Sequence, residues 1–128
     1  MQRVLGVGGI FFKSADPKAL GAWYRDNLGI ELEPWGGAVF KWSGPHNPAC
    51  VGTTVWSPFK ADTKYFEPST ASFMVNYRVA DVRAMVEELR AKGCTVDERV
   101  DESEYGIFGW VMDPEGNRIE LWQPPEGR

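Results

Sequence analysis

Few residues in this chain could do proton, metal or nucleophilic chemistry. Its 128 residues include one histidine, His46, and two cysteines, Cys50 and Cys94. One imidazole excludes any site within the chain that needs two. A two-histidine zinc helix, an iron triad of two histidines and a carboxylate, and a finger with two cysteines and two histidines are all ruled out. His46 lies in Gly44-Pro45-His46-Asn47-Pro48, which reads as a turn with an exposed ring. The cysteines are far apart and fit no secreted framework, so they read as two reduced, partly buried thiols. Aromatic residues are plentiful by contrast, with six Trp, seven Phe and four Tyr. Each can bury on the order of 150–250 Å². Walls of rings, not clusters of ligands, are what this composition supplies.

Length and charge set the frame. A chain of 128 residues that is 43% hydrophobic and 25% charged is one globular domain. The formal net charge is −4 with no basic run, which argues against a surface that tracks nucleic-acid phosphates. No apolar stretch approaches the ~18 residues of a membrane span, and the N-terminus lacks a secretion signal. The expectation is a cytoplasmic, soluble protein with no nucleic-acid or membrane partner.

The elements that must position any site come from an internal repeat. Residues 9–33 and 74–98 share a strand, an Ala-Asp pair (Ala15-Asp16; Ala80-Asp81), a helix and a Gly (Gly29; Gly93). Asp16 and Asp81 suit helix N-caps, Pro17 suits a first helical turn, and the two glycines suit left-handed stops. Phe40-Lys41-Trp42 echoes Phe108-Gly109-Trp110, and Thr53-Thr54-Val55-Trp56 echoes Ile119-Glu120-Leu121-Trp122 at an offset of 66. Strands are expected near 30–33, 38–42, 51–56, 94–100, 106–112 and 118–122, with a turn at Asp113-Pro114-Glu115-Gly116-Asn117. The chain then reads as an α+β domain over 1–128. Module one spans about 4–56 and module two about 71–125, each βαβββ. Residues 57–70 form a linker, or a lid or arm, that carries Lys64-Tyr65-Phe66.

Two such modules in one chain resemble the vicinal oxygen chelate superfamily, which includes glyoxalase I, bleomycin-resistance proteins and extradiol dioxygenases. Asp113-Pro114-Glu115-Gly116-Asn117-Arg118-Ile119-Glu120-Leu121 is close to that family's closing motif. The opening strand, Ala15-Asp16, Trp23-Tyr24 and Leu28-Gly29 are similar to its first element. The resemblance implies a curled eight-stranded mixed sheet with helices outside and a cavity inside, and often a homodimer. It also implies a metal held from the opening and closing strands. Those positions fall on Gly9, Thr54, Met74 and Glu120, and only Glu120 suits a hard or borderline divalent ion. A divalent metal is therefore disfavoured and no cofactor is expected.

Strand alternation extends this placement. With Gly9 and Met74 inward, Phe11, Lys13, Asn76 and Arg78 also face the cavity. Thr54 and Trp56 share one face of a closing strand, and Arg118, Glu120 and Trp122 share one face of the other. The sequence thus points to a small-molecule binder without the usual metal. Its planar or anionic ligand would lie between Trp56 and Trp122, with Arg78 or Lys13 supplying charge. Two other readings stay open: a lyase, isomerase or dioxygenase using Glu120 as base or ligand, and a dimeric interaction module.

Overall fold

A computed structural model describes residues 1–127. Among them, the elements run β1 (Val4–Ser14), α1 (Pro17–Leu28), β2 (Ala38–Lys41), β3 (Thr53–Lys60), β4 (Phe73–Val79), α2 (Val82–Ala91), β5 (Asp101–Ser103), β6 (Gly106–Met112) and β7 (Arg118–Gln123). The sheet order is β2-β3-β1-β4-β7-β6-β5. β1 and β4 pair antiparallel at the centre, and each has its module's closing strand parallel on its other side. This is a mixed α+β sheet that repeats itself about the β1–β4 pair.

Local chemistry explains the helices. The Asp16 carboxylate accepts from the Ala19 N–H at 3.1 Å, and Asp81 does the same for Ala84 at 3.0 Å. Gly29 ends α1 at φ 71°, a left-handed position that favours glycine. α2 buries Val82 and Val86 against Val79, Val111 and Leu121, making the core between helix and sheet. α1 covers β1 and β3 on the same convex side.

Among the described residues the sheet has seven strands, not the expected eight. Residues 30–33 form no strand, because the chain turns immediately after them. Glu33 N–H donates to Gly37 O and Gly36 N–H to Glu33 O, and Pro34 has no N–H for a ladder. The run expected at 94–100 is reduced to a single bridge, Val96 with Val111, and β5 begins at Asp101. The Asp113–Asn117 turn is built as its residues suggest. Asp113 accepts from the Glu115 and Asn117 N–H groups at 2.9 and 2.8 Å.

Two backbone features decide which side chains face inward. First, β1 carries an irregularity between Val7 and Gly9 where its register with β4 shifts. A Cβ on Gly8 would meet Asn76 and Trp122, and one on Gly9 would meet Phe11 and Asn76. Both glycines therefore turn toward the concave face, as a bulge allows. Second, β3 continues through Lys60, in parallel register with β1 from Gly9↔Val55 to Ser14↔Lys60. Four residues assigned by sequence to the linker, Ser57 to Lys60, are strand.

Candidate functional site

The length of β3 changes the internal alignment. Phe11 pairs with Ser57 on β3, and Asn76 pairs with Glu120 on β7. With β1 and β4 related by the offset of 65, the partner of Glu120 in module one is Ser57, and that of Trp122 is Phe59. The expected match of Thr54 and Trp56 with Glu120 and Trp122 is therefore three residues out. An odd slip reverses the face of every side chain on the strand. Trp56 accordingly packs on the helix side, against Tyr24 (ring centroids 4.9 Å apart) and Phe12 (5.2 Å). It is not a wall of the cavity.

The concave face has two parts. One is filled. The chain after β3 folds back over it, so that Phe66, 1% exposed, packs with Phe11, Met74 and Trp110. Phe59 stacks on Tyr65 at 5.8 Å. Arg118 ties this covering segment down. Its guanidinium donates to Tyr65 O at 2.6 Å and Glu67 O at 2.9 Å, reaches Asp97 at 3.3 Å, and lies 5.0 Å from the Trp110 ring centroid. The other part is a cavity of about 710 Å³. Its walls are largely apolar, including Phe11, Trp35, Val39, Val55, Phe108 and Trp122, with Asn76 and Glu120 among its polar lining. Trp122 and Phe108 are stacked with only 12° between their planes, and Trp122 Nε1 donates to Tyr105 O at 2.8 Å.

Of the nine side chains selected from sequence, Phe11, Asn76, Glu120 and Trp122 line this cavity. The other five do not, Trp56 for the reason above. Met74 is fully buried in the aromatic cluster. Arg118, only 7% exposed, spends its donors on the covering segment. Lys13 places Nζ 5.8 Å from the Phe66 ring centroid, and Arg78 lies 5.5 Å from that of Trp42. These two form no cationic pair, because equivalent positions on antiparallel β1 and β4 fall at opposite ends of the sheet.

Several lining and supporting residues were not selected from sequence. Val55 and Phe108 face inward through the actual registers of β3 and β6, while Trp35 comes from an irregular loop. Tyr65 and Trp110 carry polar handles to Glu120. The Lys64-Tyr65-Phe66 run signalled the first, and alternation on β6 from Phe108 would have found the second. Cys50 is half-buried at the cavity wall, Cys94 is exposed, both are free thiols, and His46 is exposed in its turn.

Glu120 is the electrostatic centre. It is 2% exposed and accepts from three donors: Tyr65 Oη, Asn76 Nδ2 at 2.6 Å and Trp110 Nε1 at 2.9 Å. Burial raises its pKa above the ordinary carboxylate value, while those three donors and Arg118 oppose the rise. Burial and the neighbouring carboxylate likewise push the Tyr65 phenol upward.

The family resemblance implies a divalent metal, and these residues do not fit one. Gly9 offers no side chain and Met74 is sealed in the core. Thr54 Oγ1 is engaged, accepting from Trp42 Nε1 at 2.9 Å and donating to Val7 O at 2.6 Å. Ser57, the structural counterpart of Glu120, adds only a neutral hydroxyl. Both Glu120 oxygens already serve protein donors. Among the described residues, no three His, Cys, Asp or Glu side chains gather to hold an ion.

Fold and cavity together place the chain among proteins built from paired βαβ units around a concave site. The family described as glyoxalase-like domain matches residues 9–122, and the chain belongs to it. Solved structures with the same fold include methylmalonyl-CoA epimerase from Mycobacterium tuberculosis. That likeness has a TM-score of 0.62 at 20% identity and covers 95% of this chain and 89% of the other. A methylmalonyl-CoA epimerase in complex with methylmalonyl-CoA and ammonium aligns with a TM-score of 0.70 at 17% identity, over 98% and 99%. A glyoxalase/bleomycin resistance protein/dioxygenase superfamily member from Vibrio splendidus aligns with a TM-score of 0.56 at 14% identity, over 96% and 99%. No curated protein sequence matches. No helix among the described residues is long and apolar enough to cross a membrane.

Proposed function

We propose that this protein binds a small, largely apolar molecule in the concave cavity without a metal, in the manner of the bleomycin-resistance proteins. The observation that carries the reading is a cavity of about 710 Å³ walled by Phe11, Trp35, Phe108 and Trp122. Its buried carboxylate, Glu120, already accepts from three protein donors. Aromatic walls with few polar groups suit capture of a ring system through area burial and stacking.

A catalytic reading draws on the raised Glu120 carboxyl, which resembles a general base in direction of shift. Against it, Tyr65 and Trp110 both hold Oε2 and Asn76 holds one side of Oε1, which leaves a single acceptor position for a substrate proton. Binding is the better account. The protein should leave a hemithioacetal unisomerised, with or without added divalent ions; turnover abolished by Glu120→Gln would reverse this preference. Assembly as a homodimer, implied by the family, belongs to the same proposal and is checked by sedimentation.

The uncharged dye N-phenyl-1-naphthylamine tests the binding reading. Its fluorescence should rise saturably at one dye per chain. Trp122→Ala should weaken binding about tenfold through lost stacking and burial. Val39 lies on an edge strand and is 39% exposed at the cavity wall, so Val39→Trp should crowd the space without touching the core. No saturable enhancement, or unchanged affinity in both variants, would count decisively against this site.

A further inference from the structure

We infer that the cavity selects a flat, uncharged ring system bearing one N–H or O–H donor, held through Asn76 Oδ1. This rests on the binding reading above and deepens it. Asn76 is 2% exposed and lines the cavity. With Glu120 ionised, Nδ2 is the atom that donates to it at 2.6 Å, and this sets the amide orientation. Oδ1 is then an acceptor turned away from Glu120. It is buried and has no hydrogen-bond partner among the described residues. An unmet acceptor at that depth is costly and is seldom left without a purpose.

The surroundings say what meets it. Oδ1 lies over Gly8, another lining residue, in space that a Cβ on Gly8 would take. The glycine makes room there for Oδ1 itself. The Trp122 ring borders the same spot, within 2.8 Å of that Cβ position. A ring lying along Phe108 brings its edge toward Asn76. Because Oδ1 is shut from the surface, the Trp122 side chain, held by Tyr105 O, must give way for the ring to be seated. Charge excludes an anion at this end. Glu120 lies beside Asn76, and the cation among the lining residues, Lys41, is exposed on edge strand β2. A carboxylate or phosphate placed near Oδ1 would face an acceptor and a second carboxyl group. An amide, lactam, phenol or pyrrole-type N–H faces a complement.

Three near-isosteric probes separate the donor from the shape: indole, indene and benzofuran, titrated against the full chain by ligand-observed NMR. Indole offers an N–H where indene has a methylene and benzofuran an acceptor oxygen. Indole should bind roughly tenfold tighter than indene, with benzofuran weakest. Asn76→Ala should bring the three within about twofold of one another. Equal affinities for the unaltered chain would overturn the donor inference and leave the cavity reading standing. No binding by any probe would sink both. An indole preference that survives Asn76→Ala would move the acceptor elsewhere and overturn the assignment. If that variant does not fold, the three probes on the unaltered chain still decide.

Discussion

Replacing Glu120 with Leu should destabilise the protein by roughly 3–5 kcal/mol, the range expected when one partner of a buried polar network is removed. Leu fills similar space, so the loss comes from the groups left behind. Asn76 Nδ2 and Trp110 Nε1 would be buried donors with no acceptor, and Tyr65 Oη would lose its anchor. Trp110 is 2% exposed and cannot turn its N–H to water without breaking the aromatic cluster. Urea denaturation reads the effect as a lower midpoint. A loss under about 1 kcal/mol would mean that the desolvation relieved by removing the carboxyl offsets the bonds it makes.

Glu120→Gln isolates the charge. The folded carboxyl has a raised pKa because burial outweighs its donors and Arg118. As pH climbs through the ordinary carboxylate range, the unfolded chain gives up its proton first. Stability from this group is therefore full below that range and declines as pH rises through the folded value. The glutamine has no such dependence. The margin by which the native chain exceeds Glu120→Gln should shrink from pH 4 to pH 7 in paired urea titrations. A margin that grows would show that the three donors dominate burial.

The parts of this molecule legible in its sequence are those set by local rules. Asp16 and Asp81 cap helices, Gly29 stops one, and Asp113 to Asn117 make a tight turn because their side chains bond the backbone a few residues away. Strand alternation puts Asn76 and Glu120 each on an inward face, and both line the cavity; that they stand side by side comes from the β4–β7 register. What was not legible depends on register between distant strands. The shift near Gly8 is a property of the β1–β4 pairing, and neither strand alone records it. The continuation of β3 past Trp56 depends on its parallel partner β1. Pro58 lies inside that stretch, and proline is uncommon within a sheet, yet it pairs in register with Phe12. That continuation makes Ser57, not Thr54, the counterpart of Glu120 and turns Trp56 to the helix side. The concave filling by Tyr65 and Phe66 escaped for a related reason. An aromatic run in a connector does not say which surface it will cover.

Arg118 decides whether that connector stays closed, and Arg118→Met should release it. Methionine keeps much of the apolar stem but removes the planar fork that serves Tyr65 O, Glu67 O and Asp97 together. It also removes the cation lying 5.8 Å from the Tyr65 ring centroid and 5.0 Å from that of Trp110. Two charge-assisted bonds to backbone carbonyls dominate the loss, which should come to about 2–4 kcal/mol. The effect should be local. The Glu67 and Ser69 amides, bonded to Lys64 O and Phe66 O, should exchange with solvent deuterium about a hundredfold faster. Amides within α2, held by the separate Val82–Val86 core, should change little. Arg118→Lys should rescue poorly, since one ammonium cannot reach two carbonyls and a carboxylate in the same geometry. Uniform acceleration across α2 and the connector would instead show that the covering segment and the sheet unfold as one unit, and that Arg118 is a strut of the whole domain.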